Sequence, residues 1–181
     1  MKKKTIDDIN IDTIDLSKHL VTVHCGTKLY RIVHKGTDPL IPTGRESRFA
    51  SQPPQYSPEV YKKALGMGTA ISVGTGTSCF CESLATAKLE VGGHLQDKQA
   101  YEIILKSDIT IVDMDSICRA EGINKPYITE ERTEICHKFY GKKVKGLRYE
   151  SSKNTKEYNI VIFPDWFPEF KSIVEVKKIN E

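Results

Sequence analysis

Four polar side chains have the chemistry of an anion-binding or bond-breaking site: Arg31, Arg48, Glu90 and Ser151. The planar guanidinium group of arginine donates two parallel charged hydrogen bonds, which suits a diphosphate or a carboxylate. A glutamate facing such groups can stabilise the oxocarbenium-like state through which glycosidic bonds break, or position a ribose hydroxyl. The alternative is that these residues form surface ion pairs and a strand-end serine, and the residues alone leave both interpretations open.

The segment around Glu90 is predicted to form a short helix over residues 82–91. Glu82 or Ser83 supplies an acceptor for the first free backbone N–H groups, and Gly92 follows the last helical residue. Glu90 lies three residues after Ala87, on the apolar side of this helix. A buried carboxylate must be paired or used. Glu90 is therefore either a functional group or a residue that edges the buried side and reaches water.

Patterns along the rest of the chain predict an α+β domain with a mostly antiparallel sheet and short flanking helices. Runs rich in β-branched and aromatic residues predict strands at residues 29–33, 69–73, 101–105, 109–113, 144–149, 158–163 and 172–179. Further helices are predicted at residues 59–65, 114–121 and 129–140. Residues 1–181 are expected to form one domain, with residues 1–25 as an N-terminal arm that is either docked or extended.

The bulk composition is that of an ordinary globular domain, with 39% hydrophobic and 28% charged residues in a chain of 181. The net charge of +3 is too small to indicate nucleic-acid binding. Basic clusters at residues 2–4 and 142–148 are expected to be solvated surface. No apolar run approaches the roughly 20 residues of a membrane helix, and no signal-peptide pattern is present, so a cytoplasmic location is expected.

The cysteine pattern indicates reduced thiols, because the count of five is odd and nothing suggests export. Cys79-x-Cys81, with His94 or His137, is a weak zinc pattern, and no metal is expected. The sequence lacks a Gly-x-Gly-x-x-Gly loop, a Walker-type Gly-Lys-Ser/Thr and a Gly-x-Ser-x-Gly elbow. A cysteine–histidine nucleophile pair stays open, because such pairs form in space and not in sequence.

Four patches together, in their order along the chain, resemble one known family. Residues 30–33 (Tyr-Arg-Ile-Val) resemble its opening strand, and Arg48-Phe49 resembles its Gly-Gly-Arg-Trp/Phe patch. Residues 82–90 resemble its Glu-Ser…Ala-x-x-Glu helix. Residues 146–151 and 159–164 resemble its Gly-Ile-x-Tyr-Pro-Ser…Asn-Leu-Val-Leu-Phe ending. The family is the RES-domain family, the toxin half of bacterial RES–Xre toxin–antitoxin pairs.

The resemblance implies an ADP-ribosyltransferase-like fold, with a split β core and a cleft that holds NAD. Glu90 would be the catalytic glutamate, supported by Arg48 and Ser151. The residues expected to bind NAD are Arg31, Arg48, Phe80 and Ser151. The implied activity is cleavage of the nicotinamide–ribose bond by water or phosphate, without a metal, which would deplete cellular NAD and arrest growth. An Xre-type helix-turn-helix antitoxin is the expected partner, and a homo-oligomer stays open.

Three departures from the family pattern keep alternatives open. The tyrosine that the family usually has eleven residues before the glutamate falls on Cys79, with Phe80 beside it. Residues 51–78 form an insertion relative to the family, and Ser152 competes with Ser151 for the serine position. The alternatives are a mono-ADP-ribosyltransferase acting on a specific protein and an NAD- or partner-binding module with impaired catalysis.

Overall fold

The computed structural model describes residues 3–5, 8–40, 78–92, 95–123, 139, 142–163 and 166–180. Within them lie eight strands: β1 Leu20–Val23, β2 Lys28–His34, β3 Ser78–Cys81, β4 Lys98–Leu105, β5 Ile109–Asp113, β6 Gly146–Glu150, β7 Tyr158–Ile162 and β8 Val174–Lys178. The α-helices are α1 Leu84–Glu90, α2 Met114–Ala120 and α3 Phe167–Ser172, and short 3-10 helices lie at Ile11–Thr13 and Leu16–His19.

The eight strands form one sheet of order β1-β5-β6-β7-β3-β2-β4-β8. All described neighbours pair antiparallel except β5 and β6, which are parallel. This arrangement confirms the predicted α+β class with a mostly antiparallel sheet.

Apolar side chains cover both faces of the central strands. Phe80, Ile103 and Ile160 belong to one buried cluster, and Leu147 and Val161 belong to the other. Successive residues of a strand point to opposite faces. A strand with apolar residues at every position is therefore buried on both sides, as β7 is from Ile160 to Ile162.

Helix α1 begins where the sequence predicts. Ser83 is the N-cap residue, and its side chain accepts a hydrogen bond from the backbone N–H of Thr86. Gly92 follows the helix with a φ of 68°, a left-handed conformation that glycine adopts without steric strain. Thr86 and Ala87 form the buried side, which sets α1 against β2 and β3.

The predicted N-terminal arm is docked where the structure describes it. Ile9 and Ile11 are buried in the cluster that contains Met114 and Phe139, and β1 pairs with β5. Residues 8–23 therefore pack on the domain and do not extend from it.

The remaining element predictions have mixed outcomes. The strands predicted at residues 29–33, 101–105, 109–113, 144–149 and 158–163 and the helix predicted at 114–121 are present within a few residues. The last strand begins at Val174, two residues later than predicted, because α3 occupies residues up to Ser172. The elements predicted at 59–65, 69–73 and 129–140 lie outside the described residues, as does nearly all of the 51–78 insertion. None of the described helices is long and apolar enough to span a membrane.

Gly146 lies where β6 and β7 leave no room for a side chain. A Cβ atom at this position would lie 2.1 Å from the carbonyl oxygen of Val161. The oxygen belongs to the backbone of a central strand, so it cannot move without disturbing the ladder on both sides. We expect Gly146→Ala to lower the free energy of unfolding by about 1–3 kcal/mol, measured by urea denaturation followed by circular dichroism.

The control for this substitution is Thr110→Ser, which removes one methyl group from an exposed strand position. Its effect on the free energy of unfolding should stay within about 0.5 kcal/mol. Equal denaturation midpoints for wild type and Gly146→Ala would contradict the close approach of the two strands.

Candidate active site

The carboxylate of Glu90, the last residue of α1, is held by two donors that converge on one of its oxygens. Oε1 accepts hydrogen bonds from Oγ of Ser151 at 2.6 Å and from Nδ2 of Asn159 at 2.8 Å. Both donors are buried, with exposed fractions of 0% and 2%. The other oxygen, Oε2, has no hydrogen bond to a residue that the structure describes. Glu90 itself is half-buried, and the described residues hold its carboxylate through Oε1 alone.

The position of the Ser151 proton follows from the other hydrogen bonds of its hydroxyl. Oγ accepts from the backbone N–H groups of Lys153 and Asn154, both at 3.2 Å. These local bonds are typical of a serine that begins a turn. The single proton of the hydroxyl is thus left to donate to Glu90. Ser152 is exposed, so Ser151 is the serine that contacts Glu90.

The loop that carries Ser151 is tied to the start of α1. Oε2 of Glu157 accepts from the hydroxyls of Ser83 at 2.6 Å and Thr86 at 2.5 Å. The side-chain amide of Asn154 donates to the Thr86 hydroxyl at 2.9 Å. Because Thr86 is fully buried, these bonds are shielded from water. They fix the distance between the helix that carries Glu90 and the loop that carries Ser151.

Strand register places Asn159 in a row of polar side chains on the sheet face that meets Glu90. Paired residues of neighbouring strands point to the same face. Tyr30 pairs with Cys81, Cys81 with Asn159, and Asn159 with Tyr149. The amide nitrogen of Asn159 reaches the Tyr149 hydroxyl at 3.4 Å as well as Glu90. The row therefore leads from β2 directly to the carboxylate.

Tyr149 supplies a phenol hydroxyl next to Cys79, the position where the RES family usually has tyrosine. The Tyr149 oxygen lies 3.9 Å from Sγ of Cys79. Burial raises the pKa of Tyr149 well above its ordinary value, and the nearby Cys79 and Glu90 add to the shift. The phenol consequently stays protonated and neutral at physiological pH.

Arg31 and Phe80 lie on the opposite face of the sheet from Glu90. Each is next in sequence to a member of the polar row, so its side chain points the other way. The Arg31 guanidinium carbon lies 5.4 Å from the centre of the Phe80 ring, and the group donates to the carbonyl oxygen of Pro39. Arg31 is 3% exposed. The structure does not bring these two residues beside Glu90, and their roles in binding NAD stay predictions.

The other predicted site residues are Glu90, Ser151 and Arg48. Ser151 and Glu90 are brought together, whereas Arg48 lies outside the described residues. Asn159 is the site residue that reasoning from residue types missed. Its signal was a single amide in an otherwise apolar strand, where asparagine is disfavoured. In the part of the chain that the structure describes, no three His, Cys, Asp or Glu side chains cluster closely enough to hold a metal ion.

A second polar cluster lies at the start of α2. Nη2 of Arg148 donates to Oδ2 of Asp113 at 2.9 Å, and its guanidinium group stacks over the ring of Tyr158 at 4.2 Å. Oδ1 of Asp113 caps α2 by accepting from the backbone N–H groups of Asp115 and Ser116. In the predicted basic cluster, Lys142 and Lys145 are likewise ion-paired, with Asp12 and Glu169 respectively. Three of these basic side chains are therefore neutralised within the molecule.

Asp115 is the buried carboxyl of this second cluster. Desolvation raises its pKa to about 6, and the charge of Asp113 adds to the shift. Its Oδ2 accepts from the backbone N–H of Glu150, while Oδ1 is buried with no partner among the described residues. Folding therefore raises the pH at which this carboxyl loses its proton, to about 6.

Comparison with solved structures supports the class of fold. The fold and site define an α+β protein in which a helix-borne carboxylate is held at a mostly antiparallel sheet by a serine and an asparagine. No protein-family model and no curated protein matches the sequence. The fold is similar to that of a chain in the crystal structure of the M. tuberculosis MbcT–MbcA toxin–antitoxin complex, with a TM-score of 0.55 and 11% identity over 88% of this chain and 87% of that chain. At this identity the likeness concerns the fold alone, and it supports the predicted fold class over most of the chain.

The raised pKa of Asp115 predicts a specific pH dependence of stability. Its stabilising contribution is present below the unfolded-state value near 4 and is lost as the pH rises through about 6. Asp115→Asn keeps an acceptor for the Glu150 N–H and removes the ionisation. We expect the variant to exceed wild type in free energy of unfolding by about 1–3 kcal/mol at pH 7.5, and by much less at pH 4.5, in urea denaturation at both pH values.

Asp97→Asn is the matched control, because Asp97 is exposed in a turn whose positive φ asparagine also tolerates. It should leave the pH dependence of stability unchanged. If Asp115→Asn also leaves the pH dependence of stability unchanged, the fold does not raise the pKa of Asp115.

Proposed function

We propose that this protein is the toxin of a toxin–antitoxin pair and that it consumes NAD by cleaving the nicotinamide–ribose bond. The observation that carries the proposal is the Glu90 carboxylate, fixed through Oε1 by Ser151 and Asn159 while Oε2 has no partner among the described residues. The likeness in fold to a chain of a toxin–antitoxin complex supports the toxin role. The family resemblance of the sequence supports NAD as the substrate.

The chemistry requires one negative group beside the ribose. The bond between the ribose anomeric carbon and the nicotinamide ring nitrogen breaks, and its electron pair stays on the nitrogen, which becomes neutral. The positive charge then develops on the ribose as an oxocarbenium-like state. A carboxylate held in advance stabilises that charge without reorganising. Glu90 would present Oε2 to the ribose, and an incoming water would add to the anomeric carbon and lose a proton to solvent.

The remaining site residues have supporting roles in this proposal. Ser151 donates to Glu90 and keeps the carboxylate in place through the loop of residues 151–157. Arg48 is proposed to contact the diphosphate or the nicotinamide ribose. Arg31 and Phe80 are buried on the opposite face of the sheet, so this proposal gives them no contact with the ribose. Phosphate could replace water as the acceptor, with ADP-ribose 1-phosphate as the product. No metal takes part in any of these steps.

The second candidate function is an NAD- or partner-binding module with impaired catalysis. Cys79 in place of the family's usual tyrosine favours it, because a thiol does not replace a phenol as a hydrogen-bond donor. The Tyr149 hydroxyl beside Cys79 weighs against it, since a neutral phenol is still supplied near this position. For either candidate, the proposed partner is an Xre-type helix-turn-helix antitoxin.

The neighbouring serines provide a matched test of the proposal. Purified wild-type protein incubated with NAD should release nicotinamide, measured by liquid chromatography. We expect Ser151→Ala to slow this release by about 10- to 100-fold, because the carboxylate loses one of its two fixed contacts. Ser152→Ala, which truncates the exposed serine one residue later, should release nicotinamide at the wild-type rate.

Two other outcomes are informative. NAD binding in calorimetry without any nicotinamide release from wild type would favour the binding module over the enzyme. A label transferred from biotin-NAD to a protein would favour mono-ADP-ribosylation. Equal rates for Ser151→Ala and wild type would contradict the role given to the serine.

A further inference from the structure

Asn159 occupies an unusual place for a side-chain amide. It lies in the centre of the sheet on β7, between β3 and β6, and is 2% exposed. The three residues after it in the strand are apolar and buried. An apolar side chain would suit these surroundings better than an amide, because a buried polar group needs a partner for each of its polar atoms.

The hydrogen bonds around Asn159 determine whether Nδ2 or Oδ1 of its side-chain amide faces Glu90. A carboxylate oxygen can only accept hydrogen bonds, and Oε1 of Glu90 already accepts the only proton of Ser151. The amide must therefore present Nδ2 to Glu90, since Oδ1 would place two acceptors against each other. The same nitrogen points its second proton towards the Tyr149 hydroxyl.

This orientation leaves the amide oxygen without a partner. Oδ1 of Asn159 is buried and has no hydrogen bond among the residues that the structure describes. An unsatisfied buried acceptor destabilises the fold. Such residues persist in proteins when a functional site needs them, because activity and stability are often in conflict at the same position.

We propose that Asn159 is a positioning residue, which holds the Glu90 carboxylate so that Oε2 faces the substrate, at the expense of fold stability. The inference rests on the proposed function of Glu90 in NAD cleavage. Asn159 acts through Glu90 and need not touch NAD. If the Asn159 amide only supported the sheet, its removal would lower the stability of the fold.

Asn159→Val separates the two roles, because valine is closer to asparagine in volume than leucine is, suits a strand and removes both polar atoms. We expect the melting temperature to equal or exceed that of wild type, while nicotinamide release falls by about 10- to 100-fold in kcat with little change in KM. A fall in melting temperature that accounts for the lost activity, or a wild-type rate, would overturn the proposal.

Asn159→Asp tests the same contact by charge, since aspartate keeps the shape of asparagine. It places a second carboxylate against Glu90, and two carboxyls this close share one proton. Among the described residues, the other titratable groups on this face near the pair are the hydroxyls of Tyr149 and Tyr30 and the thiols of Cys79 and Cys81. We expect the acidic limb of the pH–rate profile to move upward by about one pH unit or more. Asn10→Asp makes the same change at an exposed 3-10 helix cap and should leave the profile in place.

Crystal structures of wild type and Asn159→Val keep the inference testable if wild type releases no nicotinamide. The Glu90 carboxylate should turn away from its wild-type orientation in the variant, while the backbone of β7 stays in place. That result without NAD cleavage would contradict the proposed function and leave the positioning role standing. A carboxylate in the same orientation in both structures would overturn the positioning role.

Discussion

The two hydrogen bonds donated to Oε1 of Glu90 are the interactions on which the candidate site depends. Their donors come from separate parts of the chain, Ser151 from the loop after β6 and Asn159 from β7, while Glu90 ends α1. Among the described residues, the carboxylate is bound through Oε1 only, which leaves Oε2 as the oxygen that can face a substrate. The contact thus brings three separate elements of the chain together at one carboxylate.

The rest of the structure keeps these three elements in register. The pairing of β7 with β3 and β6 sets the row that contains Asn159 and Tyr149. A slip of one residue would turn both side chains to the other face of the sheet. Gly146 allows β6 to approach β7 closely, and Glu157 ties the following loop to the start of α1. Sheet and loop therefore converge on the same carboxylate.

Local patterns were sufficient to predict the elements that carry the site. Ser83 and the residues after it predicted α1, because capping and helix propensity act within a few residues, and the apolar run after Tyr158 predicted β7. Helix α3 was missed because its N-cap residue, Trp166, makes no side-chain cap hydrogen bond. β1 was missed because its four residues pair with β5, far away in sequence.

Contacts between distant residues were harder to predict. Glu90 and Ser151 were both predicted as site residues, and they meet. Arg31 was grouped with them by residue type, but its place in the alternation of β2 turns it to the opposite face, against Phe80. Asn159 joins the site only through the order of the strands, which residue types do not encode. The sequence thus indicates which residue types suit a site more reliably than it predicts which face of the sheet each side chain occupies.

The most direct measurement of the central claim is nicotinamide release by Glu90→Gln, with NAD binding measured on the same protein by calorimetry. Glutamine keeps the shape of glutamate and removes its negative charge, and Glu175→Gln makes the same change on the edge strand β8, where Glu175 contacts Lys106 and Lys177. The account predicts that Glu90→Gln binds NAD but releases nicotinamide at least about 100-fold more slowly than wild type, while Glu175→Gln keeps the wild-type rate. Release at the wild-type rate by Glu90→Gln would contradict it.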